Sequence, residues 1–261
     1  MGRLDGRAAM VTGGGRGIGR AIALAMAREG ADVALSARTA SEIEAVAGEV
    51  KALGRRGVAV RADALDAAST HSAVREAIDR LGRLDVLVNN AGGVIAPRGL
   101  ADLLPFTHDD ALFRENLVLN LESAWWATRE VLPQMRDRGY GRVLFIGSGY
   151  AKRSGGLVAY TAAKHGIVGL TRALAAQVAP FGITVNCLCP GWTHTQLVDW
   201  DLLSLAYGTD AAGARAKAES DNLQHRILEP EELGAMAVLL ASEESAGITG
   251  QVVSVDGGFG I

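Results

Sequence analysis

The sequence predicts an α/β fold, doubly wound around a parallel sheet with helices on both faces, and three observations carry that prediction. Short apolar runs rich in Val, Ile and Leu alternate with longer helical stretches, which is the pattern of repeated β-α-β units. The composition, 49% hydrophobic against 21% charged, belongs to a chain that buries a full core. No stretch of altered composition divides the 261 residues, so 1–261 reads as a single domain.

Seven apolar runs read as strands. RAAMVT (7–12) comes first and ends in a glycine turn, after which 17–28 has helical periodicity and composition. DVALSAR (32–38) follows, then a helix over 41–53 rich in Ala and Glu. GVAVRA (57–62), LDVLVNN (84–90), RVLFIGS (142–148) and ITVNCLC (183–189) continue the alternation. A helix over 231–241 leads into the last run, QVVSV (251–255), which most simply extends the same sheet. Runs this apolar predict a sheet covered on both faces. Between Pro190 and Glu229 about forty residues separate a strand from the next clear helix start, and 191–228 is read as a lid inserted at the ligand edge.

Charge and targeting signals exclude several classes. The net charge is −3 and the pI about 6.0, with both signs interspersed, so no basic face points to nucleic acid or an anionic membrane. No apolar run reaches the roughly 18 residues that span a bilayer, and the N-terminus lacks the long apolar segment of a signal peptide. Gly2 is not a myristoylation site because position 6 is Gly. The expected location is the cytoplasm. Cys187 and Cys189 alternate along a buried strand and are expected on opposite faces, as reduced core thiols and not as a disulfide or metal pair.

The stretch TGGGRGIG, at the junction of the first strand and first helix, offers free backbone N–H groups to an anion. It is not a P-loop, because Arg20 and Ala21 follow where Lys and Ser/Thr are required. Nor does it satisfy G-x-G-x-x-G, because Ile18 stands where a glycine would be needed. Its spacing is T-G-x-x-x-G-x-G over Thr12, Gly13, Gly17 and Gly19. With NNAG at 89–92, YTAAK at 160–164, PG at 190–191 and VDGG at 255–258, all in order, the chain resembles the short-chain dehydrogenase/reductase family over nearly its whole length. The resemblance implies a Rossmann-like seven-stranded sheet in the order 3-2-1-4-5-6-7, a nicotinamide cofactor, and oxidation or reduction at a carbonyl carbon. It also implies cofactor contacts from Gly13, Gly15, Arg16, Gly17, Ile18, Gly19, Arg38, Asp63, Ala64, Asn90, Ala91, Gly92, Tyr160, Lys164, Pro190, Gly191, Thr193 and Thr195, with Asp63 at the adenine.

Tyr160 and Lys164 are four residues apart on a helical segment and share one face, where an ammonium favours phenolate and tunes the tyrosine for acid/base work. Ser148, read as the end of the fifth strand, is placed to hydrogen-bond a substrate oxygen. In the family the Tyr usually lies thirteen residues after this Ser, and here Tyr160 lies twelve after Ser148, so the pocket wall is not expected to keep the family's usual shape. Of two asparagines in ENLVLNLESAWW, Asn120 stands in the family's VNL context and completes the catalytic set of Asn120, Ser148, Tyr160 and Lys164; Asn116 is expected to be a helix-surface or capping residue. Trp125 and Trp126 serve packing or a subunit interface.

An acidic residue at the end of the second strand would mark NAD, and here Ala37 stands there. Asp32 opens the strand, about 16 Å from the ligand edge, and cannot serve. Arg16 and Arg38 instead converge on a 2′-phosphate, so NADP(H) is expected in preference to NAD(H).

The lid stretch 192–208, with Trp192 as a substrate contact, is either an apolar wall over the nicotinamide or a helix packed on its own domain. Lys152 and Arg153 are either loop charges or partners for a substrate carboxylate or phosphate. His165 and His194 are packing or surface residues. The substrate is a ketone or 3-oxoacyl-type carbonyl, as in 3-oxoacyl reductases, with an NAD-dependent, hydroxybutyrate-like alcohol dehydrogenase as the alternative; a non-catalytic cofactor-binding sensor is the reading of another class. The resemblance implies a homotetramer, with a dimer next.

Overall fold

The computed structural model describes residues 2–95, 102 and 104–260. Seven parallel strands form one sheet in the order β3-β2-β1-β4-β5-β6-β7, as the resemblance implies. They are β1 (Ala8–Thr12), β2 (Asp32–Ala37), β3 (Gly57–Arg61), β4 (Val86–Asn89), β5 (Gly141–Ile146), β6 (Ile183–Pro190) and β7 (Val252–Val255). The crossover helices are α1 (Gly17–Arg28), α2 (Ala40–Ala52), α3 (Ala67–Leu81), α4 (Asp110–Leu117), α5 (Ser123–Arg138), α6 (Val158–Val178), α7 (Trp200–Tyr207), α8 (Ala211–Ser220) and α9 (Glu232–Ala241).

Strand alternation divides the core in two. Met10 of β1, Leu87 of β4 and Phe145 of β5 pack with α3, α5 and α6 through Val74, Val131 and Leu174. Val11, Val88 and Leu144, their chain neighbours, point the other way and pack with α1, α2 and α9 through Ile22, Val46 and Leu233. Local chemistry sets the helix ends. Asp66 caps α3 by accepting from Ala68 N and Ser69 N, and Gly82 (φ 83°) ends it in the left-handed region.

Three expectations change. β5 ends at Ile146, so Ser148 lies beyond the strand, in extended backbone that opens a short 3₁₀ turn over Gly149–Ala151. Cys187 and Cys189 do not point to opposite faces: residues two apart on a strand share a face, and their sulfurs are 3.7 Å apart, both thiols free and buried. The long connection after β6 contains two helices, capped by Asp199 at α7 and Asp210 at α8. No described helix is long and apolar enough to cross a membrane.

Candidate active site

At the carboxyl edge of the sheet, β1 turns into α1 through glycines that no side chain could replace. Gly13 has φ +62°, and a Cβ at Gly19 would overlap the Gly13 carbonyl and the Asn90 side chain. The turn is stapled to the end of β4. Thr12 Oγ1 accepts from the backbone N–H groups of Asn90 and Ala91, each at 3.0 Å, while Asn90 Nδ2 donates to the carbonyls of Thr12 and Gly13. Helix α1 then starts with no side-chain cap and no acid in its first turn. Its free N–H groups and the positive end of its dipole therefore favour an anion.

The other half of the site is built on β5, α6 and the α4–α5 junction. Ser148 Oγ accepts from Tyr150 N at 3.2 Å. Tyr160, in the first turn of α6, is half-buried, and Lys164, one turn on, is buried. The Lys164 Nζ donates to the Ile146 carbonyl at 2.8 Å and lies 5.6 Å from the centre of the Tyr160 ring. Burial therefore outweighs the expected phenolate-favouring effect. It raises the Tyr160 pKa, which hydrogen bonding from Ser148 only partly offsets, and it lowers that of Lys164 to about 8.

Asn120 sits in a single π-helical turn, Val118–Glu122, between α4 and α5. Its side chain clamps Gly93, accepting from the N–H at 2.9 Å and donating to the carbonyl at 2.8 Å, and it also donates to Asn116 O. Gly92 brings this loop against the lysine; a Cβ there would stand 2.9 Å from Asn120 Oδ1 and 3.3 Å from Lys164 Nζ. Asn116 is neither a surface nor a capping residue. It is buried near the end of α4, donates to Leu112 O and accepts from Ile95 N.

One cleft of about 1720 Å³ joins the two halves, larger than the roughly 300–1,000 Å³ of a typical small-ligand pocket. Of the residues expected to be catalytic or to contact cofactor or substrate, all but Gly17 and Asn120 line it. Gly17 (φ +51°) faces the Thr195 side chain instead, and Asn120 stands behind Gly92 and Gly93. The lid stretch is both a helix and a wall, with Trp192, Leu197, Leu202 and Tyr207 on the cleft. The Trp192 ring packs on Trp200 at 6.1 Å and edge-on to Tyr150 at 6.4 Å. Lys152 turns away to Ser254, whereas Arg153 lines the cleft. His194 bridges Glu229 and Arg215 on the surface, and His165 bonds Thr161 O.

Two features escaped the sequence reading. Glu42, in the first turn of α2, lines the cleft and stands 3.8 Å from Arg16, which also donates to Gln196 at 3.2 Å. An acid in a first helical turn near the end of β2 was the available signal. Tyr150 and Phe259 stack edge to face at 5.4 Å to form a second aromatic wall, a contact between distant segments with no local signature. Arg38 is exposed and has no acidic partner among the described residues. Asp32 is engaged by Arg55 and Arg56 at the far end of β2.

A parallel sheet opening at its carboxyl edge into a cleft of this size, with an uncapped glycine-turn helix at one end and a Tyr/Lys pair at the other, is the architecture of a dinucleotide-dependent oxidoreductase. Comparison with known proteins gives the family: the chain belongs to the short-chain dehydrogenases, whose model ("short chain dehydrogenase") matches residues 7–201. It is 36% identical over 260 residues to the oxidoreductase UcpA of Salmonella typhimurium, covering 99% of this chain and 96% of that one. It is 36% identical over 264 residues to the D-beta-hydroxybutyrate dehydrogenase of Cupriavidus necator, covering 98% of each. The solved structure of carveol dehydrogenase from Mycobacterium avium in complex with NAD superposes with a TM-score of 0.90 at 28% identity, covering 99% of both chains. The protein is thus an NAD(P)-dependent oxidoreductase that interconverts carbonyl and alcohol groups on a small molecule.

Proposed function

We propose that the protein is an NADP(H)-preferring reductase of ketone or 3-oxoacyl-type carbonyls, with Tyr160 as its general acid/base. The observation that carries the cofactor preference is the end of β2, where Ala37 leaves no carboxylate for a ribose hydroxyl and the exposed Arg38 has no acidic partner among the described residues. A guanidinium there meets a 2′-phosphate with charge-assisted bonds. The uncapped α1 and its glycines fit the pyrophosphate of such a cofactor, with Ile18, Asn90 to Gly92, Asp63 and Ala64, Pro190 and Gly191, Thr193 and Thr195 along the rest of its length. When bound, the nicotinamide supplies or accepts the hydride.

The chain's own residues do the remainder. Ser148 Oγ and the Tyr160 hydroxyl hold the carbonyl oxygen, and Tyr160 gives that oxygen a proton as the alcohol forms. Lys164 would hold the nicotinamide ribose and, as an ammonium, favours the phenolate that Tyr160 leaves behind. Asn120 fixes the Gly93 backbone and with it the loop against the lysine. Residues 191–228 act as the lid, with Trp192 against the substrate, within a single domain. The partly exposed β7 edge and the exposed Trp125 on α5 support a homotetramer, which light scattering tests.

Glu42 favours a second reading, NAD-dependent alcohol oxidation of hydroxybutyrate type, because it offsets the charge of Arg16. A screen at 340 nm of NADPH and NADH against ketones and 3-oxo esters separates the two. A higher kcat/KM with NADPH is expected; a higher value with NADH overturns the preference, and inactivity with every compound overturns the reductase reading.

A further inference from the structure

Arg153 lies in the cleft wall with two of its guanidinium nitrogens, Nε and Nη1, buried and without a hydrogen-bond partner. A guanidinium keeps its charge in any protein environment, so burying one without an anion is costly. Among the described residues its compensation is the face of Phe259, 5.5 Å from the guanidinium carbon. Gly260 (φ +56°) makes that position accessible, because a Cβ there would collide with the guanidinium. The nearby cation Lys217 is already matched, with Asp221 at 3.8 Å. Arg38 at the end of β2 and Lys164 at the reacting centre also line the cleft without an acidic partner among the described residues, but beside the aromatic pair of Tyr150 and Phe259 the unmatched cation is Arg153, and Tyr150 N donates to the Ser148 hydroxyl there.

We infer that Arg153 anchors a carboxylate on the substrate, at the far end of the molecule from the carbon that Ser148 and Tyr160 face. The inference rests on the reductase reading above and deepens it: the substrate is an oxo acid or its hydroxy acid. The planar fork of Arg153 matches a carboxylate, and the one unmatched cation beside the aromatic pair balances a single negative charge, whereas a phosphate dianion would call for a second. Contacts run from Arg153 to the Phe259 ring, from Phe259 to Tyr150, and from Tyr150 N to the Ser148 hydroxyl, so an apolar stretch of substrate along these rings would separate its carboxylate from its reacting carbonyl. Arg153 is a specificity residue and takes no part in the proton path.

Binding without turnover tests it. Calorimetry on the NADP⁺-loaded protein, which cannot reduce a ketone, is run with 4-oxopentanoate, 5-oxohexanoate, 6-oxoheptanoate and their methyl esters, and with hydroxyacetone phosphate. For at least one chain length the acid is expected to bind roughly ten- to a hundredfold more tightly than its ester, the range of one charge-assisted contact. Arg153→Met removes that difference and Arg153→Lys restores part of it, with NADP⁺ affinity equal in all three proteins. In turnover of the preferred acid with NADPH, Arg153→Met raises KM and leaves kcat nearly unchanged. Equal binding of acids and esters, a preference that survives Arg153→Met, or tighter binding of hydroxyacetone phosphate than of every acid overturns the carboxylate anchor. If uncharged ketones are still reduced in that case, the reductase reading stands without it; if nothing is reduced, both fall.

Discussion

The Lys164 ammonium donates its 2.8 Å hydrogen bond to the carbonyl of Ile146, not to the Tyr160 hydroxyl one turn earlier on the same helix. Burial lowers the pKa of Lys164 to about 8 from an ordinary 10.5. Between those values the folded protein binds fewer protons than the unfolded chain, so stability rises with pH across the window. The cost of the buried charge is present in full below about pH 8 and disappears above about 10.5. Lys164→Met has no such term. Melting curves from pH 7 to 10.5 are expected to show the parent gaining on the Met variant as pH rises; a constant difference contradicts a buried, depressed lysine.

The proposed cofactor preference is tested at the pair Arg16 and Glu42, which line the cleft 3.8 Å apart. Glu42→Gln frees Arg16 and removes repulsion of a 2′-phosphate, and is expected to raise the NADPH-over-NADH ratio in kcat/KM by about two- to fivefold, the scale of an exposed charge pair. Ala37→Asp with Arg38→Leu is expected to shift the ratio towards NADH. An unchanged ratio in both variants removes these residues from the cofactor site.

The two thiols of β6 leave no room above Gly147, where a Cβ would stand 2.7 Å from Cys187 Sγ and 2.8 Å from Cys189 Sγ. Gly147→Ala is expected to cost about 1–3 kcal/mol in denaturant unfolding. Adding Cys187→Ala and Cys189→Ala vacates the space, so the triple variant is expected to lose less than the sum of its parts. Strict additivity means the sulfurs do not crowd that position.

These outcomes mark what the sequence made legible. The sheet was legible because each strand is a short apolar run, and the Tyr160/Lys164 pair because four residues along a helix is one turn. The side-chain environments were not. Spacing brings Lys164 near Tyr160 but says nothing of the desolvation that sets both pKa values. The faces of Cys187 and Cys189 were misjudged although the period of a strand fixes them. Asn116 looked exposed because its partner Ile95 N comes from a distant loop and leaves no local signature. Helices α7 and α8 hid in a connection without strong apolar periodicity, and the Tyr150–Phe259 wall exists only once β5 and the C-terminal segment meet.

In the proposed reaction the Tyr160 hydroxyl transfers the proton. Tyr160→Phe removes one oxygen from a half-buried ring and leaves the cofactor end of the cleft intact. The decisive measurement is steady-state reduction of an accepted ketone by the purified variant, alongside its melting temperature and its NADPH affinity. A parent-like melting temperature and cofactor affinity are expected, with kcat reduced by roughly a hundredfold or more, the scale of general acid catalysis. Parent-like turnover in a folded, cofactor-binding Phe variant would contradict it.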